Sequence, residues 1–232
     1  MLSIDKLTAG YGLAPVISNL NLRVDSGTVL AVLGRNGSGK STLAKAVIGI
    51  VPEISGSIRV GEMEIAGLAA HRVARVGVAY VPQGRGIFPR LTVQENLQLG
   101  TRARRDGRTS IDEEIFSYFP ILRKRLDQRG GTMSGGEQQM LAIARALCAK
   151  PDVLLMDEPS DGIAPMMVDL IADLLPNLAR KLALAIVLVE QNLDLALAAS
   201  DRCVVMDRGS IVHQGSPDAF RDPAILQKLL AI

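Results

Sequence analysis

One octapeptide limits what this chain can fold into more than any other. Gly34-Arg35-Asn36-Gly37-Ser38-Gly39-Lys40-Ser41 satisfies the pattern G-x-x-x-x-G-K-[ST]. The apolar run Thr28–Leu33 before it reads as a buried strand, and Ser41–Gly49 after it reads as the first turns of a helix. Strand, glycine loop and helix in that order form a phosphate-binding α/β unit. The glycines let successive backbone N–H groups curl around oxygen atoms, and the helix N-terminus adds the positive end of its dipole. In such a loop Lys40, expected at the surface, reaches the terminal phosphates. The Ser41 hydroxyl meets Mg²⁺, and Thr42 follows on the same turn.

Further apolar runs at Gly77–Val81, Val153–Met156 and Ala185–Val189 read as strands covered on both faces, as in a parallel sheet between helices. Val153–Met156 ends in Asp157-Glu158, an acidic pair at the strand edge where α/β sheets place ligands. Asp157 is expected to hold Mg²⁺ through water and Glu158 to polarise an attacking water. Together with the glycine loop, the pair indicates hydrolysis of a nucleoside triphosphate. Val204–Met206 and Ser210–His213 read as a hairpin around Asp207-Arg208-Gly209. Leu2–Leu7 is expected to pair antiparallel with Leu22–Val24. Residues 87–139 differ in texture, with helical patterns at Val93–Gly100 and Asp112–Phe119. They carry clustered base at Arg102, Arg104, Arg105, Arg108, Arg123, Lys124, Arg125 and Arg129, read as a solvated face because acids are interspersed. The expected architecture is an α/β core over 1–86 and 140–232, with a helical subdomain inserted at 87–139.

Composition narrows the class. The 232 residues suggest one large domain or one with a satellite. A formal charge of +2 argues against a dedicated nucleic-acid binder, and 3% aromatic residues advertise no base-stacking platform. Mean hydropathy is high at +0.24, yet Leu182–Val189 is far short of the roughly 20 apolar residues that span a bilayer. The start, Met1-Leu-Ser-Ile-Asp-Lys6, has no basic segment leading into an apolar one, so export is not expected. Cys148 and Cys203 read as two buried thiols of a reducing compartment. His71 and His213 are too few for a metal cluster.

Met133-Ser134-Gly135-Gly136-Glu137-Gln138 resembles the L-S-G-G-Q signature of ABC-transporter ATPase subunits, with Met for the leading Leu and Glu137 before the Gln. Joined to the glycine loop and to Asp157-Glu158, the resemblance covers roughly Leu2 to Leu230. It implies a RecA-like P-loop core with N-terminal antiparallel strands, and ATP with Mg²⁺ as cofactors. In the family, residues matching Ser134, Gly135, Gly136 and Glu137 face ATP bound to the opposite subunit. Tyr11 looks like the aromatic that stacks on adenine. Gln83, in Tyr80-Val-Pro-Gln83, looks like the lid glutamine that meets Mg²⁺ and the attacking water. Asp161, in Ser160-Asp161-Gly162, resembles the loop that contacts the partner's phosphate loop. Gln191 stands where most of the family has a His that contacts the γ-phosphate.

The Gln191 departure, with Tyr80–Pro89, Ser134–Arg145 and Leu188–Asn192, resembles the second ATPase of branched-chain amino acid importers and their urea or amide relatives. Asp161–Pro165 leans to the amino acid branch, whereas Val81–Arg85 and Val205–Arg208 lean to the urea branch. The resemblance implies a second, homologous ATPase subunit, two transmembrane permeases and, indirectly, an extracytoplasmic solute-binding protein. No nucleic acid is implied, and the chain is expected at the cytoplasmic face of a bacterial plasma membrane. The lid around Gln83–Pro89 is the expected coupling surface, with Ile87, Phe88 and Pro89 forming an apolar face. Two other readings stand beside this one: a soluble, non-transport ATPase of the same superfamily, and a regulatory nucleotide-binding module that does not turn over.

Overall fold

The computed structural model describes residues 1–221; the end of the expected core, 222–232, lies outside the described residues. In chain order the elements are β1 (Leu2–Gly10), β2 (Pro15–Val24), β3 (Val29–Leu33), α1 (Lys40–Val47), β4 (Glu53–Val60), β5 (Met63–Glu64), α2 (Ala70–Val76) and β6 (Val78–Val81). Then come α3 (Val93–Thr101), α4 (Glu113–Tyr118), α5 (Pro120–Arg123), α6 (Gly135–Leu147), β7 (Val153–Asp157), α7 (Pro165–Leu182), β8 (Ala185–Val189), α8 (Leu193–Ala199), β9 (Arg202–Asp207) and β10 (Ser210–Gly215).

Two sheets result. The larger runs β10-β9-β3-β8-β7-β6, parallel except for the terminal hairpin partner β10. Every residue of β3, β7 and β8 is buried, which is what continuous apolar runs require when both faces of a sheet are covered. The smaller sheet, β2-β1-β4-β5, is antiparallel, and Leu2 pairs with Val24 as the sequence led one to expect. Its β4 was not anticipated: Glu53-Ile-Ser-Gly-Ser-Ile-Arg-Val60 buries only Ile58 and Val60 fully, and its strand state is set by register against β1, Ile4 opposite Ile58.

The helical part is an inserted subdomain built from α3, α4, α5 and the start of α6. The expected boundary at 139/140 falls inside α6, which runs unbroken from the signature turn into the core. Two of these helices open on capping boxes, Thr92 with Glu95 on α3 and Ser134 with Glu137 on α6. Between α3 and α4 the chain is irregular, and here the basic cluster departs from a uniformly solvated face. Arg104 is buried, with its guanidinium paired to Asp106 and Asp112, because an unpaired buried charge would be far costlier than a paired one. Arg105 pairs with Asp152, Arg123 with Glu113 and Arg125 with Glu137. Both cysteines are buried, and burial pushes the Cys148 thiol up to about 12. Among the described residues no helix is long and apolar enough to cross a membrane.

Candidate active site

The parallel strands bring the functional loops to one sheet edge. β8 lies between β3 and β7, so the loops that follow these three strands are neighbours. Gly34–Gly39 leaves β3, Asp157 and Glu158 close β7, and Glu190 and Gln191 follow β8.

The glycine loop is held by backbone geometry. Gly34, Gly37 and Gly39 have φ of 151°, 80° and 104°. A Cβ at Gly34 would stand 2.4 Å from the Met206 carbonyl oxygen, so that position admits no side chain. Lys40 departs from the expected surface position, being only 4% exposed. Its Nζ donates to the carbonyls of Gly34 at 2.7 Å and Arg35 at 3.1 Å, and lies 3.9 Å from Glu158 Oε1. Burial lowers its pKa below the usual lysine value, opposed by the charges of Glu158, Asp157 and Glu190.

Ser41 Oγ donates to Asp157 Oδ1 at 3.1 Å, and the Tyr80 hydroxyl donates to Asp157 Oδ2 at the same distance. Burial raises the Asp157 pKa, and these two donors work against the rise. A hydroxyl and a carboxylate side by side, with Gln83 nearby, form the oxygen-donor set that suits Mg²⁺. That ion takes few protein ligands and completes its shell with water and phosphate. Among the described residues there is no cluster of three or more His, Cys, Asp or Glu of the kind a wholly protein-bound metal needs.

Glu158 is the hub. Its backbone is left-handed, with φ 48°, and its N–H donates to the Val189 carbonyl at 2.8 Å. Gln83 Nε2 donates to one carboxylate oxygen at 3.0 Å, and Gln191 Nε2 donates to the other. Gln83 Nε2 also lies 3.4 Å from Asp161 Oδ2, and Gln191 Nε2 donates to Asn36 Oδ1 at 2.7 Å. Three loops thus converge on one carboxylate. Asn36, Gly37, Gly39, Lys40, Ser41, Thr42, Gln83, Glu158 and Gln191, with Val16, line a polar cavity of about 260 Å³. Tyr11 stands outside that lining, past the end of β1, with 53% of its surface exposed.

The signature residues lie apart from this cavity, on the first turn of α6. Ser134 Oγ accepts from the Glu137 N–H at 3.4 Å. The Glu137 carboxylate turns back to the Ser134 N–H and to Arg125, so its side chain caps the helix rather than pointing outward. The second half of a capping box holds that carboxylate at the helix end. Gly135 and Gly136 admit no Cβ without displacing Arg85 and Met167 respectively.

Two further residues belong to the site. Tyr80 orients Asp157, and Glu190, 1% exposed, accepts the backbone N–H groups of Ser160, Gln191 and Asn192, each at 3.0 Å. Burial raises the Glu190 pKa, opposed by those N–H donors. Glu190 bears the same signal as Asp157, a carboxylate just past a buried apolar strand.

Residues 17–161 match the family model described as ABC transporter. The high-affinity branched-chain amino acid transport ATP-binding protein BraG of Pseudomonas aeruginosa is 43% identical over 97% of this chain and 97% of its own length. The lipopolysaccharide export system ATP-binding protein LptB of Escherichia coli K12 is 34% identical over 93% of this chain and 90% of its own. A crystal structure of a nucleotide-free ATP-binding cassette from an ABC transporter superposes with a TM-score of 0.81, at 25% identity, over 98% of this chain and 97% of the other.

Proposed function

The chain belongs to the ABC-transporter ATP-binding family, a P-loop enzyme that hydrolyses ATP with Mg²⁺ to drive transport, and from that premise we propose that it powers import of branched-chain amino acids. The observation that carries the catalytic part is the convergence on Glu158. Its two oxygens accept amide donors from the lid and from the loop after β8, while Lys40 stands 3.9 Å away. The amide donors and the left-handed backbone fix the carboxylate's direction, which a general base needs before its proton affinity matters. Glu158 takes the proton of the attacking water. Lys40 and the loop N–H groups stabilise charge on the phosphate oxygens, at no reorganisation cost because the loop is preformed. Ser41, and Asp157 through water, would hold the Mg²⁺, which would supply neutralisation of phosphate charge. Tyr11 presents an aromatic face for adenine.

The amino acid reading is supported by the near full-length similarity to BraG, while the more distant LptB serves lipopolysaccharide export. A urea or short-chain amide importer is the second reading, favoured by Val81-Pro-Gln-Gly-Arg85. In either case the working assembly is heteromeric: a second ATPase, two permeases and a solute-binding protein outside, with this chain on the cytoplasmic face. Ser134, Gly135 and Gly136 meet the nucleotide of the facing subunit, and Asp161 meets its phosphate loop. We assign the permease contact to the apolar groove of about 510 Å³ between α2, α3 and α6, where Phe88 is half exposed. It lies apart from the polar cavity and suits packing of a helix rather than chemistry.

The test is reconstitution of the co-purified complex with its binding protein in vesicles. ATP-dependent accumulation of labelled leucine, not displaced by urea, is expected. Uptake of urea without leucine would replace the first reading by the second. With the facing subunit's base changed to Gln, Glu158→Gln should stop the remaining hydrolysis while ATP binding persists, since an amide cannot accept the proton. Wild-type turnover in that variant would remove Glu158 as the base.

A further inference from the structure

The lid carries three consecutive left-handed residues, Gly84, Arg85 and Gly86, with φ of 75°, 72° and 60°. Glycine takes that region freely, but arginine does so at a cost that its surroundings must offset. The side chain shows what does so. Arg85 Nη1 donates to Gln138 Oε1 at 3.0 Å, and Nη2 donates to the Gly162 carbonyl at 3.0 Å. The acceptors lie 53 and 77 positions away in sequence, one on the first turns of α6 and one in the loop after Glu158. Gln138 is itself held: its Nε2 donates to the carbonyls of Met133 at 3.1 Å and Gly130 at 3.3 Å, which turns its oxygen toward Arg85. The guanidinium rests where the Gly135 side chain would be, since a Cβ there would come within 2.9 Å of Nη2. Arg145 of α6 holds the same lid from the other side, donating to the Gly86 carbonyl at 2.8 Å.

We propose that Arg85 is a positioning residue that ties the signature turn of this chain to its own hydrolytic centre. Gln83, two residues before Arg85, reaches Glu158 and Asp161; Arg85 reaches the signature helix and the carbonyl beside Asp161. A shift of Gly135 and Gly136 on meeting the facing subunit's nucleotide therefore moves Arg85, and through it the lid amide and the loop that carry the base. One side chain makes the two composite sites interdependent. The planar fork is needed because two acceptors in different segments are met at once, which the single ammonium of a lysine does not reproduce. This rests on the paired-subunit reading above.

The experiment uses the complex with its facing ATPase and permeases, the facing subunit's own base changed to Gln so that turnover reports this chain's site. Arg85→Met, Arg85→Lys, Gln138→Leu and the double variant Arg85→Met/Gln138→Leu are compared for kcat and KM, with ATP affinity of each isolated chain measured alongside. Arg85→Met is expected to lower kcat about tenfold, a loss typical of misplaced rather than missing catalytic groups, with ATP affinity of the isolated chain within about twofold of wild type. Arg85→Lys should not restore the rate, and the double variant should be no slower than Arg85→Met, because both changes cut one link. Unchanged kcat, losses that multiply in the double variant, or a matching loss of ATP affinity in the isolated chain would each overturn the proposal. Ser134→Arg in the same assembly, read as nucleotide bound at each subunit because turnover at the facing site is silenced, separates this from the underlying reading. If it impairs the facing site while Arg85→Met is silent, only the role of Arg85 falls; if it impairs only this chain's own site, the paired reading falls and takes the proposal with it.

Discussion

At the scale of single residues, Gln191 carries the sharpest consequence. Its amide bridges Asn36 of the glycine loop and Glu158, so it links the phosphate cradle to the base. Gln191→Leu removes a donor from both and should slow turnover at this site about tenfold or more, with ATP affinity little changed. Gln191→His keeps a donor and should be tolerated, but it adds a group that titrates near neutral pH, so its rate should acquire a pH dependence that Gln cannot give. The check is ATPase rate against pH with the facing site silenced; a Leu rate equal to wild type throughout would take Gln191 off the list. The residues of the glycine loop, Asp157 and Glu158 were legible because their spacing along the chain is itself the chemistry. Glu190 was legible in principle, since it follows β8 as Asp157 closes β7. The role of Arg85 was not: its partners lie far off in sequence, and nothing local marks which carbonyl or amide a long arginine will reach.

At the scale of elements, α3 and α6 meet through a glycine. A Cβ at Gly100 would lie 2.1 Å from the Arg145 carbonyl oxygen and 3.0 Å from the Cys148 Cβ, both parts of α6 or its cap with little freedom to give way. Helix propensity alone says that Gly100→Ala gains up to about 1 kcal/mol. The close approach says otherwise, because overpacking costs about 1–3 kcal/mol, occasionally more, and here backbone must move. The expected outcome is a melting temperature several degrees lower, at roughly 2–4 °C per kcal/mol for a chain of this size. A rise would show that the helices separate freely. Fully apolar strands and strongly patterned helices were readable, since burial on both faces or on one stripe leaves a period in the sequence. β4 was not, because Ser55, Gly56 and Ser57 break its alternation and pairing with β1 decides its state. Nor was the burial of Arg104, which depends on Asp106 and Asp112 folding over it.

At the scale of the molecule, the nucleotide cavity and the signature turn sit on different parts of the chain, as the proposed pairing with a facing subunit requires. Ser134→Arg should therefore depress nucleotide occupancy at the facing subunit's site more than at its own. Photo-crosslinked nucleotide counted on each subunit measures this; loss confined to the mutant chain would contradict the geometry. The parallel sheet has one more consequence, for the time order in which the protein is made. The strand that launches the glycine loop pairs with β8 and β9, Val29 with Ile186 and Leu30 with Arg202, and with no earlier strand of its sheet. On the ribosome the loop emerges long before the strands that hold it and before the carboxylates that face it. Such distant pairings close slowly, since loop entropy is lost before any contact rewards it. The complete phosphate site therefore waits for β8 and β9 to join β3.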